Sequence, residues 1–148
     1  MPAFSTAANL LVASLRIWAL PYRHPAPDYP DWRGGFVAAG IDAVATPAFG
    51  AILTILTRAA RRPLDVRCPH AHFLGEDEAR FLGMIALYQR DRLDEPRTIL
   101  DAWLPPAAAR MAAMPALGLA FAMKRGGLEL PIRFATPPRA VPRFASVH

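Results

Sequence analysis

Cys68, His70 and His72 are the residues whose types and spacing come nearest to chemistry in this chain. They sit in the stretch RCPHAHFLGEDEARFLGMIALYQR, Arg67 to Arg90, with the only cysteine, two of the four histidines and the densest acidic run, Glu76, Asp77 and Glu78. Just upstream, Leu64-Asp65-Val66-Arg67-Cys68 alternates apolar and charged residues, the pattern of a short half-buried strand. Continued to His72, an extended path points all three side chains to one side, about 6.6 Å apart per pair of residues. Thiolate and imidazole are ligand types that zinc takes, so the spacing predicts a zinc site of Cys68, His70 and His72, completed by Glu76 or water. No second, separated ligand pair exists in the chain, which leaves a thiol beside two loop imidazoles as the competing reading.

Other catalytic patterns are lacking. Cys68 with His70 or His72 is the one nucleophile–base candidate, and no third residue is marked to orient the base. Serine occurs only as Ser5, Ser14 and Ser146, none in a strand–turn–helix elbow, and there is no glycine-rich phosphate loop. The series His70-Ala-His72, Glu76, Gly83 resembles in spacing the first metal-binding motif of cupins. That motif lies on β-strands, whereas Glu76 to Gly83 reads as helix. Its leading glycine is missing, and the chain lacks the many short strands of a jelly roll, so a cupin fold is not expected.

The elements that must position these residues are helices. Gly75 is an acceptable N-cap, and Glu76, Asp77 and Glu78 in the first turn suit the positive end of a helix dipole, which predicts a solvated acidic helix start. Phe81, Leu82, Ile85 and Tyr88 follow at three- and four-residue spacing. Ser5 or Thr6 begins a first helix with Ala7, Leu11, Leu15 and Trp18 on one stripe, stopped by Pro21. Residues 21–31 form a proline-rich connector. A short helix runs from Asp31 to Ala39, ended by Gly40. A longer one starts after Asp42 or at Thr46-Pro47 and reaches about Arg61. It is apolar nearly all round from Phe49 to Leu56, which predicts that it is the central helix, with Arg58, Arg61 and Arg62 complementing its C-terminal dipole. Asp94 begins a helix carrying Ile99, Leu100 and Trp103, and Ala107 to Arg125 forms another with a kink near Pro115. Leu130, Ile132 and Phe134 alternate with Pro131 and Arg133, which predicts a two-stranded ribbon with Leu64–Cys68. The expected fold is all-α, one domain of five or six helices over residues 1–134, followed by an extended basic tail over 135–148.

Composition narrows the function further. The chain has 148 residues and a formal net charge of +5, and 16 of its 17 basic residues are arginine. From Glu76 to Leu104 four arginines face seven carboxylates, while from Pro105 to His148 six cations face only Glu129. That segregation suits an acidic partner, a phosphate backbone or an anionic membrane surface. In the tail, Arg133, Phe134, Arg139, Arg143 and Phe144 interleave cations with aromatics and are the expected partner-binding residues, for a protein, for self-association or for nucleic acid. One cysteine excludes an intramolecular disulfide framework, and the first cation is Arg16, so no secretory signal is expected and the cytoplasm is the expected location. Phe36 to Leu56 has the length of a membrane span but contains Asp42 and Pro47, and Met111 to Met123 is short and carries Pro115, so no transmembrane span is expected. A helical interaction or adaptor protein is the reading these features favour.

Overall fold

The structure, a computed structural model, describes residues 5–23 and 29–135. Seven helices occur among them: α1 Thr6–Arg23, α2 Arg33–Ala39, α3 Ala45–Ala59, α4 Glu76–Gln89, α5 Asp94–Trp103, α6 Pro106–Arg125 and α7 Ile132–Ala135. The all-α expectation holds. The seventh helix is the single turn α7, which lies where a strand was expected.

Local signals set most of the boundaries. Ser5 Oγ accepts the Ala8 amide at 3.1 Å and starts α1. Asp31 and Asp42 each accept the amide two residues on, at 3.0 Å, ahead of α2 and α3. Gly40, at φ 67°, closes α2 in the left-handed conformation that glycine adopts without penalty. Two prolines do not break their helices. α1 continues past Pro21 to Arg23, and in its last turn the Trp18 and Tyr22 ring centroids lie 5.1 Å apart. α6 stays helical on both sides of Pro115.

One hydrophobic core joins the helices. Its axis is α4 and not α3. Every residue from Phe81 to Gln89 is buried, because α1, α5, α6 and α7 all pack on this helix. α3, although more uniformly apolar in sequence, keeps Thr54, Thr57 and Arg58 exposed. The most extensive helix pairing is α3 with α6. On α6, Ala109, Ala112, Ala116 and Ala120 recur at helical spacing and are fully buried, and such small side chains let neighbouring helix backbones approach closely. A chain of rings, Trp32–Phe36, Phe36–Phe49 and Phe49–Phe81, carries the core from α2 through α3 to α4.

The expected ribbon does not form. No strand occurs among the described residues, and Leu64–Cys68 and Leu130–Phe134 are not paired. The reason lies in their backbone groups, which already have side-chain partners. Asp77 Oδ2 accepts the Asp65 amide at 2.6 Å, and Glu78 Oε2 accepts the Arg67 amide at 3.1 Å. Gln89 Oε1 accepts the Leu130 amide at 2.7 Å, while Gln89 Nε2 donates to the Leu128 carbonyl at 3.1 Å. Val66 N–H also bonds the Leu64 carbonyl, a three-residue turn that bends the segment out of strand geometry.

Candidate functional site

The loop from Ala60 to Gly75 carries the residues singled out for chemistry, and two buried carboxylates at the start of α4 hold it in place. Glu78 is fully buried and Arg16, from α1, is 3% exposed. Arg16 Nε and Nη2 donate to the two Glu78 oxygens at 2.8 and 2.9 Å, a fork on a carboxylate. Arg16 reaches the loop directly as well, through Nη1 to the Ala71 carbonyl and Nη2 to the Phe73 carbonyl, both at 3.0 Å. Glu78 in turn accepts the amides of Gly75, at 2.8 Å, and Arg67. Gly75 is required by space: a Cβ there would lie 2.5 Å from the Asp65 carbonyl oxygen.

Asp77 forms a second hub. Arg62 binds it bidentately at 2.7 and 2.9 Å, the Trp103 indole N–H donates to it at 3.0 Å, and the Asp65 amide and Arg80 complete its shell. Burial by itself would raise the Asp77 pKa. The Arg62 guanidinium, the Asp65 amide and the Trp103 indole more than offset it and hold the carboxyl well below the usual carboxylate range. The expectation of a solvated acidic helix start therefore holds for Glu76 alone, whose side chain is 80% exposed. Asp77 and Glu78 are internal because arginines from outside α4 reach in to pair with them. Arg61 and Arg62 likewise bridge helices and do not cap α3. Arg61 N–H bonds the Trp103 carbonyl and its Nη2 the Leu104 carbonyl, at 2.9 and 3.0 Å.

Both carboxylates are saturated. Asp77 receives five donors and Glu78 four, and no buried side-chain nitrogen or oxygen among the described residues lacks a partner. No lone pair is left to bind a substrate or move a proton, so the hubs act by fixing the loop.

Cys68, His70 and His72 are not brought together as the zinc reading requires. Among the described residues no group of three or more His, Cys, Asp or Glu is placed to hold a metal ion. The physical reason is a turn at Pro69-His70, closed by the Ala71 amide on the Cys68 carbonyl, which replaces the extended path that would have aligned the side chains. Cys68 is an exposed free thiol, His70 and His72 are exposed, and Glu76 pairs with Arg80 across one helical turn at 3.5 Å. Of the predicted partner-binding residues, Arg133 and Phe134 lie in α7. The Arg133 guanidinium sits 4.9 Å from the Phe134 ring, and Phe134 packs against the core beside Gly83. Arg139, Arg143 and Phe144 lie outside the described residues.

What the sequence does not reveal is a groove of about 510 Å³ where the end of α1 faces the end of α3 and the start of the loop. Trp18, Tyr22 and Arg23 form one wall, and Thr57, Arg61 and Arg62 contribute to the other. Tyr22 is 65% exposed, and Arg23 and Arg61 are exposed. Among the described residues no carboxylate lines the groove. The Asp77 hub lies behind it and orients Arg62, whose side chain keeps half its surface open. Two aromatic rings beside three guanidinium groups form a surface suited to an anionic chain with apolar side groups. Comparison of the chain with protein-family models, with curated proteins and with solved structures finds no match.

The Asp77 hub makes one expectation testable by pH. A carboxyl with a depressed folded-state pKa stabilises the fold above its unfolded value, near 3.9, and that contribution is lost as pH falls toward the folded value. Asp77→Asn is expected to lower stability near neutrality by about 1–3 kcal/mol, since Arg62 is half hydrated and the indole retains an acceptor. Denaturant melts of both proteins should converge as the pH is lowered below about 4. A gap that stays constant with pH would contradict the assignment.

Proposed function

We propose that the protein is a non-catalytic interaction module whose Trp18–Arg62 groove receives an acidic segment of a partner protein. The observation that carries this reading is the groove itself, with Trp18 and Tyr22 facing Arg61 and Arg62 and no carboxylate among the described residues of its lining. Arginine and aromatic residues are the side chains that most often dominate binding energy at interfaces, because they desolvate large surfaces and hold rigid geometry. The saturated hubs beneath the groove support the same view, since they preorganise Arg62 and the loop before any partner arrives. The excess of cations after Pro105, with Arg133, Arg139 and Arg143 among them, adds steering of acidic partners by long-range attraction.

The test is a titration of the full chain with an extended peptide of alternating aspartate and leucine, against its lysine–leucine counterpart, read by tryptophan fluorescence and by calorimetry. The acidic peptide is expected to bind and to weaken with salt. Tyr22→Ala and Arg23→Ala, both at exposed positions, should each cost about 1 kcal/mol, roughly a fivefold loss, with unchanged thermal stability. Equal affinity for both peptides, or indifference to these substitutions, would remove the groove as the binding site.

A further inference from the structure

A second surface lies on α6. The inward stripe of this helix, Ala109, Ala112, Ala116 and Ala120, is fully buried. Its outward stripe is apolar too: Met111 is 66% exposed and Met114 72%, with the half-buried Gly118 and Phe121 continuing the same line at three- and four-residue spacing. A Cβ built at Gly118 would meet no atom within 4 Å, so the stripe opens outward. Charge is placed at its two ends. Arg110 lies at one end and Lys124 and Arg125 at the other, about 21 Å apart along the axis; the helix itself contains no carboxylate, Arg125 pairs with Asp42 at 3.0 Å, and Lys124 Nζ donates to the Gln89 carbonyl. Arg110 is exposed and has no carboxylate partner among the described residues.

We infer that the outer face of α6 docks on an anionic lipid bilayer, lying in the interface with Met111, Met114 and Phe121 toward the acyl chains. Among the described residues α6 is the one helix long and apolar enough to cross a membrane. Its alanine stripe is packed inside the protein, however, and a spanning helix would have to surrender that packing. A helix that lies on the surface keeps it. An apolar stripe with cations at both ends is the pattern that interfacial helices use: the rings and thioethers enter the headgroup–acyl boundary, and the arginine and lysine stems extend along it to reach anionic headgroups. Charge decides against a second copy of the chain, because three cations against the single Asp42 carboxylate leave the face positive, and it would meet like charge on its twin. This inference concerns a different surface from the groove and does not rest on it.

The experiment is co-sedimentation of the full chain with vesicles of phosphatidylcholine alone and with vesicles that also contain phosphatidylglycerol. The anionic vesicles are expected to capture the protein, with loss at high salt. Met111→Asp combined with Met114→Asp should reduce capture by on the order of tenfold to a hundredfold, and Arg110→Gln by about fivefold. Both changes are at exposed positions, so circular dichroism and melting temperature should match the parent. Tyr22→Ala, in the groove, should leave vesicle binding unchanged, which separates the two surfaces. No capture by anionic vesicles, equal capture by both vesicle types, or capture unaffected by the methionine substitutions would each overturn the inference. So would a concentration-dependent rise in mass in solution that the same two substitutions abolish, which would assign the face to a second copy.

Discussion

Glu78→Gln is expected to destabilise the protein by about 3–5 kcal/mol, the largest effect of any single polar change, because it leaves the Arg16 guanidinium buried without a counter-charge. In melting temperature that is roughly 6–20 °C for a chain of this size. A buried ion pair is not in itself strong evidence for stability, since removing two charges from water offsets much of their attraction. Breaking one side is different: the desolvation cost remains and the attraction is gone. Arg16→Met should therefore be costly as well, and the double variant should cost less than the sum of the two, a positive coupling that a double-mutant cycle measures. The local consequence distinguishes this pair from ordinary core residues. Glu78 accepts the Arg67 and Gly75 amides, and Arg16 donates to the Ala71 and Phe73 carbonyls. Hydrogen exchange at Arg67 and Gly75 should accelerate in Glu78→Gln beyond the global loss of stability. Unchanged exchange at those two amides would mean that the pair does not hold the loop.

The second large effect is expected at Gln89, which is fully buried at the end of α4. Its amide takes the place of a strand partner for the segment after α6. Nε2 donates to the Ala120 and Leu128 carbonyls at 3.2 and 3.1 Å, and Oε1 accepts the Leu130 amide at 2.7 Å. Gln89→Met conserves size and apolar contact but leaves the Leu130 N–H and the Leu128 carbonyl without partners, at a cost of about 2–4 kcal/mol. Gln89→Glu separates shape from charge. A buried carboxylate facing two carbonyls has a raised folded-state pKa, so this variant should melt near the parent in acid and lose stability as pH rises past about 4.3. Melts of both variants across that range test the pair of claims. A Gln89→Met protein as stable as the parent would show that water satisfies those backbone groups instead. Arg90 and Lys124 reinforce the same corner, Arg90 through its Nη2 on the Leu130 carbonyl and Lys124 through its Nζ on the Gln89 carbonyl, each at 2.7 Å.

Much of the architecture was legible because it depends on neighbours in sequence. The Ser5 cap, the Asp31 and Asp42 turns, the left-handed Gly40 and the Gly75 start of α4 all rest on groups within a few residues of each other, and the chain alone specifies them. Two pieces of the buried site left local signals, although the acidic run suggested a solvated helix start and Arg16 lies off the Ala7–Leu11–Leu15–Trp18 stripe. Glu78 stands three residues after the N-cap, where a glutamate reaches back to the cap amide. Arg16 falls four residues after Val12 on the buried stripe of α1, and a cation on such a stripe requires an acidic partner. Which acid that is could not be read, because Arg16 and Glu78 are 62 residues apart and local spacing carries no information about that distance. The ribbon and the aligned Cys68–His72 path were mistaken for the same reason. Alternation of apolar and charged residues is a true pattern at Leu64–Cys68, yet the backbone groups it exposes were claimed by Asp77 and Glu78 from another element, and side-chain carboxylates satisfied them as a strand would have. The groove is a tertiary object throughout. Trp18 and Tyr22 stand on one helix and Arg61 and Arg62 follow another, and only the packing of α1 and α3 around α4 sets rings and guanidinium groups across a common space.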